Sequence, residues 1–171
     1  MIDRQTAYVF SLTLYHDWQR LRPLLSCRPK LYFHRIFLPK KVTCIGWGNK
    51  ESGIRAEQVA LDNNKNLLKV EDGFLRSLGL GINQSLSVSI LIDDIGIYYD
   101  ATRPSRLENI LNNHQFSSSC LTQAQNVLQT LQTHNLSKYN HTPEPPSIVF
   151  PLKHAVKRIL VVDQTKGDAS V

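Results

Sequence analysis

Glu71 and Asp72 stand side by side at the end of an apolar run, with Arg76 five residues past the glutamate and glycines at 73, 79 and 81. Two carboxylates, a guanidinium and a pliable backbone make a compact polar loop able to hold a sugar acid or a phosphate. Partial burial would fit Glu71 for general acid work; the competing reading is a glycine-rich connector in which Glu71 and Arg76 only pair. A second stretch runs from Asp93 to Arg106, where Asp93, Asp94, Asp100, Arg103 and Arg106 fall within fourteen residues, interleaved with Tyr98 and Tyr99. Pro104 limits how far a helix could absorb them. Acids, arginines and tyrosines beyond a strand end suit the crevice where open α/β sheets bind ligands, and a solvated loop with internal salt bridges is the alternative. A third stretch places Asp163, Gln164, Thr165, Lys166, Asp168 and Ser170 directly after an apolar run.

The elements that must carry these loops alternate between strand and helix. Residues 7–12 read as a first strand, and Leu14, Trp18, Leu21 and Leu25 recur at the spacing of a short amphipathic helix. Leu31 to Phe37 is a candidate strand whose setting Lys30, His34 and Arg35 leave open. Val42 to Ile45 is a strand, Gly46-Trp47-Gly48 a tight exit, and Ser52 a possible cap for a helix over about Gly53 to Asn63. Asn66 to Val70 then completes a βαβ unit. Gly46-x-Gly48 ahead of a helix invites a phosphate-cradle reading, but the third glycine and the P-loop lysine are missing, so a structural turn is favoured. Leu86 to Ile92 alternates and then turns wholly apolar, as a strand entering a buried sheet would. Helices are expected from Leu107 and across about Ser119 to Thr133. Four prolines at 143, 145, 146 and 151 mark a linker. Lys157 to Val162 reads as a buried parallel strand. A strand and loop of this kind normally lead into a covering helix, so the chain is expected to be the front part of a longer enzyme. The organisation expected is a Rossmann-like lobe over 1–133, a Pro-rich linker over 134–156, and the start of a further strand and loop over 157–171.

The chain has 171 residues and 42% apolar content, enough for one domain with a real core. Its formal charge of +6 is local: residues 1–41 hold eight basic side chains against Asp3 and Asp17, leaving twelve of each sign elsewhere. Such a concentration favours anionic partners such as lipid headgroups, and nucleic acid is disfavoured because no motif for it accompanies the charge. Three widely spaced cysteines without a CxxC pair point to neither a disulfide framework nor a zinc site, and the six histidines lack HxxxH spacing. No apolar run approaches the roughly 20 residues needed to span a bilayer, so any membrane contact is expected at the surface.

Taken in order, Gly46-Trp47-Gly48, the loop from Glu71 to Gly81, the segment from Asp94 to Glu108 and the run from Asp163 to Ser170 closely resemble capsule polysaccharide biosynthesis and export proteins of the KpsC/LipA type. The resemblance covers about residues 42–171, and Asp163-Gln164-Thr165-Lys166-Gly167-Asp168 looks more like the first of two tandem transferase modules than the second. It implies an α/β, Rossmann-like, mostly parallel sheet forming one lobe of a two-lobed, GT-B-like glycosyltransferase, truncated at its C-terminus. It further implies a retaining β-Kdo transferase that uses CMP-Kdo as donor, with no other cofactor and no metal. Such an enzyme builds a Kdo linker on a phosphatidylglycerol-type lipid, cytoplasmic and peripheral to the inner face of the membrane, beside the capsule biosynthesis and export complex. By the same resemblance Asp168 is the candidate nucleophile of a double displacement and Glu71 the candidate acid/base. Arg76, Arg103 and Arg106 are the available anchors for the Kdo carboxylate, and Asp72, Asp94, Tyr99, Asp100, Gln164 and Thr165 the candidate partners of sugar hydroxyls. The second lobe of such enzymes holds most of the donor nucleotide, so this chain alone is expected to be inactive. Two alternatives remain: a non-catalytic lipid- or partner-binding remnant of the capsule machinery, and an unrelated nucleotide-binding domain built on Gly46 to Gly48.

Overall fold

The computed structural model describes residues 6–33, 37–76 and 89–138. Five strands form one sheet in the order β2-β1-β3-β4-β5. Strand β1 (Thr6–Val9) leads through two short helices, α1 (Leu12–His16) and α2 (Trp18–Leu21), into β2 (Arg28–Leu31). Strand β3 (Val42–Trp47), helix α3 (Glu51–Asp62) and strand β4 (Asn66–Asp72) make the expected βαβ unit. Strand β5 (Ile90–Asp93), helix α4 (Arg106–Asn113) and helix α5 (Ser118–Thr133) follow. β2, β1, β3 and β4 run parallel, whereas β5 pairs antiparallel with β4 in the register Lys69 to Asp93.

The period of two along each strand sorts the core onto two faces. Ala7, Val9, Ile45 and Val70 meet Leu14, Trp18, Leu21 and Leu25 from the first crossover. Tyr8, Phe10, Val42 and Cys44 meet Leu38 and the Ala56 and Ala60 of α3 on the other. With both faces covered, β3 is buried along nearly its whole length. Burial pushes the Cys44 thiol up to about 11, which leaves it a packing residue.

Four local expectations change. The helix expected through Leu14 and Leu25 is two pieces, broken at Asp17 (φ −83°, ψ 11°), and the break lets Leu14, Trp18 and Leu21 all reach one core. The second strand is Arg28–Leu31, not Leu31 to Phe37. Among the described residues it is an edge strand, a place that tolerates Pro29, and Arg28 and Lys30 are exposed. Helix α3 is capped at Lys50, and the Ser52 hydroxyl instead accepts from the Trp47 amide at 3.2 Å, tying the helix start to the end of β3. The strand expected over Leu86 to Ile92 is seen as Ile90–Asp93, part-buried, antiparallel to β4 and at the edge of the sheet among the described residues; residues 86–88 lie outside them.

Helices α4 and α5 begin close to where the sequence places them, but neither buries a residue; Leu121, Val127 and Leu128 of α5 are exposed among the described residues. The linker beyond Lys138, the strand expected over 157–162 and the final loop lie outside those residues.

Candidate active site

β3 ends at Trp47, opposite Val70, while β4 runs on to Asp72, so Glu71, paired with Leu91 of β5, stands just past the end of β3. Glu71 Oε1 accepts from the Trp47 indole Nε1–H at 3.0 Å and from the Asp72 amide at 3.0 Å, and Oε2 accepts from the Tyr99 hydroxyl at 3.2 Å. A carboxylate offers roughly four acceptor positions, so Oε1 is filled and Oε2 has one acceptor position left among the described residues. Gly48 stands against this group with φ +42°, where a Cβ would overlap Glu71 Oε2 and crowd Tyr99 Oη. Only glycine meets both the backbone and the space. Lys50 Nζ sits 5.2 Å over the Trp47 ring, a cation on the indole face.

Tyr99 arrives from the segment after β5, and Asp93 shapes that segment. Its carboxylate is 5% exposed, accepts from the Ile95 and Gly96 amides through Oδ1 at 2.8 and 2.9 Å, and holds the Arg106 amide through Oδ2 at 2.8 Å. Ser105 and Glu108 add a reciprocal capping box at the start of α4. The chain between is folded back so that Tyr99 and Asp100 meet Asn49: the Asn49 amide donates to Tyr99 Oη at 3.0 Å, and Asn49 Nδ2 to Asp100 Oδ2 at 3.0 Å. Burial, with the Glu71 charge adding to it, pushes the Tyr99 phenol up to about 12. Tyr99 is therefore a neutral O–H donor at any working pH.

Asp100 is pulled the other way. The Thr102 hydroxyl at 2.6 Å and the Thr102 amide at 3.0 Å, helped by Asn49 and Arg103, hold its carboxyl down at about 2. A depressed carboxylate stabilises the fold above its ordinary value of about 3.9 and stops doing so as pH falls toward 2. Thr102→Ala removes the hydroxyl, so its deficit in urea unfolding is expected to be full above about pH 4 and to close on approach to pH 2. A deficit that stays constant over that range would disconnect Thr102 from Asp100 ionisation.

The remaining candidates fall in three groups. Arg103 joins the cluster through Asp100 at 3.4 Å and reaches Glu57 of α3 at 2.7 Å. Asp72 and Arg76 pair at 2.9 Å next to Glu71, and Asp72 Oδ1 is buried with no partner among the described residues. Asp94 and Arg106 form a two-pronged pair at 2.7 and 2.8 Å on the outer side, where the Arg106 guanidinium holds the Asp94 carboxyl below the usual range. Each of the three arginines thus has a carboxylate partner. Gln164, Thr165 and Asp168 lie outside the described residues. An open depression of about 400 Å³ lies between Arg103 and Asn109, but Glu71 and Trp47 are not part of its wall. Convergent hydrogen bonding, not concavity, makes the Glu71 group the candidate site.

Trp47, Asn49, Thr102, Glu57 and Lys69, whose ammonium pairs with Glu57 at 2.9 Å, belong to this arrangement but are not among the candidates read from the sequence. Lys69 carried a readable signal, a lone charge inside Leu67-Leu68-Lys69-Val70, where a buried strand demands a partner for it. Trp47 and Asn49 flank Gly48, and only the turn pointed to them. Glu57 has no signal on an otherwise ordinary amphipathic helix. Among the described residues no group of three His, Cys, Asp or Glu could hold a metal, and no helix is long and apolar enough to cross a membrane.

Residues 43–158 match the family described as capsule polysaccharide biosynthesis protein. The chain is 45% identical over 130 residues to the capsule polysaccharide modification protein LipA of Neisseria meningitidis serogroup B, a match spanning 74% of this chain and 18% of LipA. It is 37% identical over 128 residues to the lipopolysaccharide-processing protein LpsZ of Rhizobium meliloti, spanning 73% of this chain and 28% of LpsZ. Among solved structures, the β-Kdo 2,4 transferase of Thermosulfurimonas dismutans KpsC superposes with a TM-score of 0.81 at 35% identity, over 98% of this chain and 51% of that one. The β-Kdo 2,7 transferase of the same KpsC gives a TM-score of 0.54 at 30% identity, over 77% and 43%. The chain therefore spans less than a fifth of LipA and about half of the 2,4 transferase.

Proposed function

Because the chain belongs to the capsule polysaccharide biosynthesis protein family, we propose that it supplies the Glu71-bearing lobe of a retaining β-Kdo glycosyltransferase that moves Kdo from CMP-Kdo to a phosphatidylglycerol-type lipid. The likeness to the KpsC 2,4 transferase along nearly the whole chain is the observation that supports it most. In this reaction the Asp168 carboxylate attacks the anomeric carbon of Kdo as the bond to the CMP phosphate breaks and CMP departs with the electron pair. The acceptor hydroxyl then attacks the same carbon, the bond to Asp168 breaks, and Glu71 takes the hydroxyl proton. Two inversions give retention. The acceptor position left on Glu71 Oε2 among the described residues suits the proton transfer, since Oε1 is already filled by Trp47 and Asp72. Arg103, 48% exposed and using Nε and Nη1 for Asp100 and Glu57, has Nη2 to offer the Kdo carboxylate. Arg76 and Arg106 are further anchors. Asp72, Asp94, Asp100, Tyr99, Gln164 and Thr165 are the proposed partners of sugar hydroxyls.

The lipid end of the reaction calls for a peripheral position at the inner face of the cytoplasmic membrane, next to the capsule biosynthesis and export complex. Along residues 12–41 exposed Leu12, Leu24, Phe33 and Phe37 alternate in sequence with exposed Arg22, Arg28, Lys30, Lys40 and Lys41, a composition suited to an anionic bilayer surface. The same surface favours a second reading, in which the chain binds lipid or partners without catalysing transfer.

One experiment separates the two. CMP-Kdo is supplied with vesicles of phosphatidylglycerol or of phosphatidylcholine, to this chain alone and to the chain joined to the rest of a LipA-length protein. Lipid-linked Kdo from phosphatidylglycerol, made by the joined form and lost in Asp168→Ala, is the expected result. Undiminished product from Asp168→Ala would remove the nucleophile assignment, and salt-sensitive vesicle binding without product from any form would favour the second reading.

A further inference from the structure

Lys69 is 1% exposed in the middle of β4, on the strand face that α3 covers. Its ammonium donates to Asn49 Oδ1 at 2.9 Å and pairs with Glu57 Oε2 at 2.9 Å. Glu57 Oε1 takes Arg103 Nη1 at 2.7 Å, Arg103 Nε reaches Asp100 Oδ2 at 3.4 Å, and the same Asp100 oxygen accepts from Asn49 Nδ2 at 3.0 Å. The five side chains close a circuit of alternating charge, with Asn49 as the neutral bridge between a cation and an anion.

Chemistry fixes how that bridge is oriented. Lysine only donates and a carboxylate only accepts, so the Asn49 amide oxygen must face Lys69 and its NH₂ must face Asp100. Held on both sides, residue 49 has its backbone N–H directed at Tyr99 Oη. With that oxygen already accepting, the Tyr99 hydroxyl proton is turned to Glu71 Oε2. An apolar residue at position 69 would fill the space under α3 without desolvating a charge, and buried pairs of this kind seldom outperform one in stability. A lysine here makes sense as a device for geometry.

We infer that the Lys69, Glu57, Arg103, Asp100 and Asn49 circuit is a positioning device that aims the Tyr99 hydroxyl at Glu71. Lys69, Glu57 and Asn49 are positioning residues that act through Tyr99 and do not touch the sugar. The functional consequence rests on the role given to Glu71 above; the geometric one does not.

The test reads the Trp47 indole N–H resonance of the 171-residue chain, assigned against Trp18 by Trp18→Phe, because that proton rests on the same carboxylate as Tyr99. Asn49→Ala and Lys69→Met are both expected to shift it, and Tyr99→Phe to shift it as well. In a Tyr99→Phe background the added effect of Asn49→Ala is expected to vanish. Glu57→Gln, on the more exposed side of the circuit, serves where Lys69→Met does not fold. A folded Asn49→Ala chain with an unmoved resonance, or an Asn49→Ala effect that survives intact without the Tyr99 hydroxyl, overturns the circuit. In a transfer-competent chain Asn49→Ala is expected to lower kcat roughly 10- to 100-fold with KM for CMP-Kdo nearly unchanged. Resonance coupling in a chain whose every form lacks transfer would uphold the circuit and remove the enzyme proposed above.

Discussion

Glu71→Gln is expected to lower turnover by about 10²- to 10⁴-fold in a chain that transfers Kdo, while leaving unfolding nearly unchanged. Glutamine has the shape of glutamate, and its carbonyl oxygen can still accept from the Trp47 indole and the Asp72 amide in the place of Oε1. Its NH₂ then faces Tyr99, whose oxygen already takes the Asn49 amide and has a second lone pair to give. The hydrogen bonds re-form with one reversed, so little folding energy is lost. What glutamine cannot do is take a proton from the acceptor hydroxyl. Measuring kcat alongside thermal unfolding separates the two effects. A variant with near-parental kcat would take proton transfer away from Glu71, and a large fall in stability would make it a structural carboxylate.

Much of this arrangement was legible because local rules and the global fold agree. The βαβ unit over residues 42–70 follows from an apolar strand, a glycine turn and a helical stripe, and α4 from the apolar spacing that starts at Leu107. Glu71, Tyr99 and Asp100 stood out as polar groups at strand exits, and the structure brings them together. The direction of β5 was not legible. A four-residue apolar strand reads the same whether it enters the sheet or pairs antiparallel at its edge, and only the ladder with β4 decides. The apolar stripe of α5 marked a helix, and among the described residues that helix buries none of its side chains. A stripe shows that a helix has an apolar side; it does not supply the partner.

The circuit behind Glu71 illustrates a different limit. Its members come from the turn after β3, from α3, from β4 and from the segment after β5, so no single stretch of sequence contains it. Asp100 and Arg103 drew notice as sugar ligands because exposed mixed charge looks like a binding loop. The structure shows that the same two side chains are also held by Asn49, Thr102 and Glu57, internal bonds that account for the low Asp100 carboxyl and that no sequence pattern announced. Ion pairs and ligand contacts draw on the same residue types.

Gly53→Ala is expected to destabilise the chain by about 3 kcal/mol or more, an effect at the upper end for adding one methyl to a packed contact. Inside a solvent-facing helix turn the same change would stabilise by up to about 1 kcal/mol through helix propensity and the entropy of the unfolded chain. At Gly53 the sign reverses because α3 is pressed onto the end of β3. A Cβ there would overlap the Gly48 carbonyl oxygen and lie 2.7 Å from the Trp47 oxygen, both backbone atoms that no rotamer can move. Gly46 shows the reciprocal contact, its own Cβ position falling on the Ser52 oxygen and 2.9 Å from Ala56 Cβ. Relief requires α3 to back away from β3. That motion would carry Glu57 off Lys69 and disturb the Gly48 turn on which Glu71 and Tyr99 rest. For a chain of this length the loss corresponds to a fall in Tm of roughly 6 to 12 °C, and the Trp47 indole resonance should move with it. A Gly53→Ala chain as stable as the parent would mean that the helix and strand are not in the close contact that the whole site is built upon.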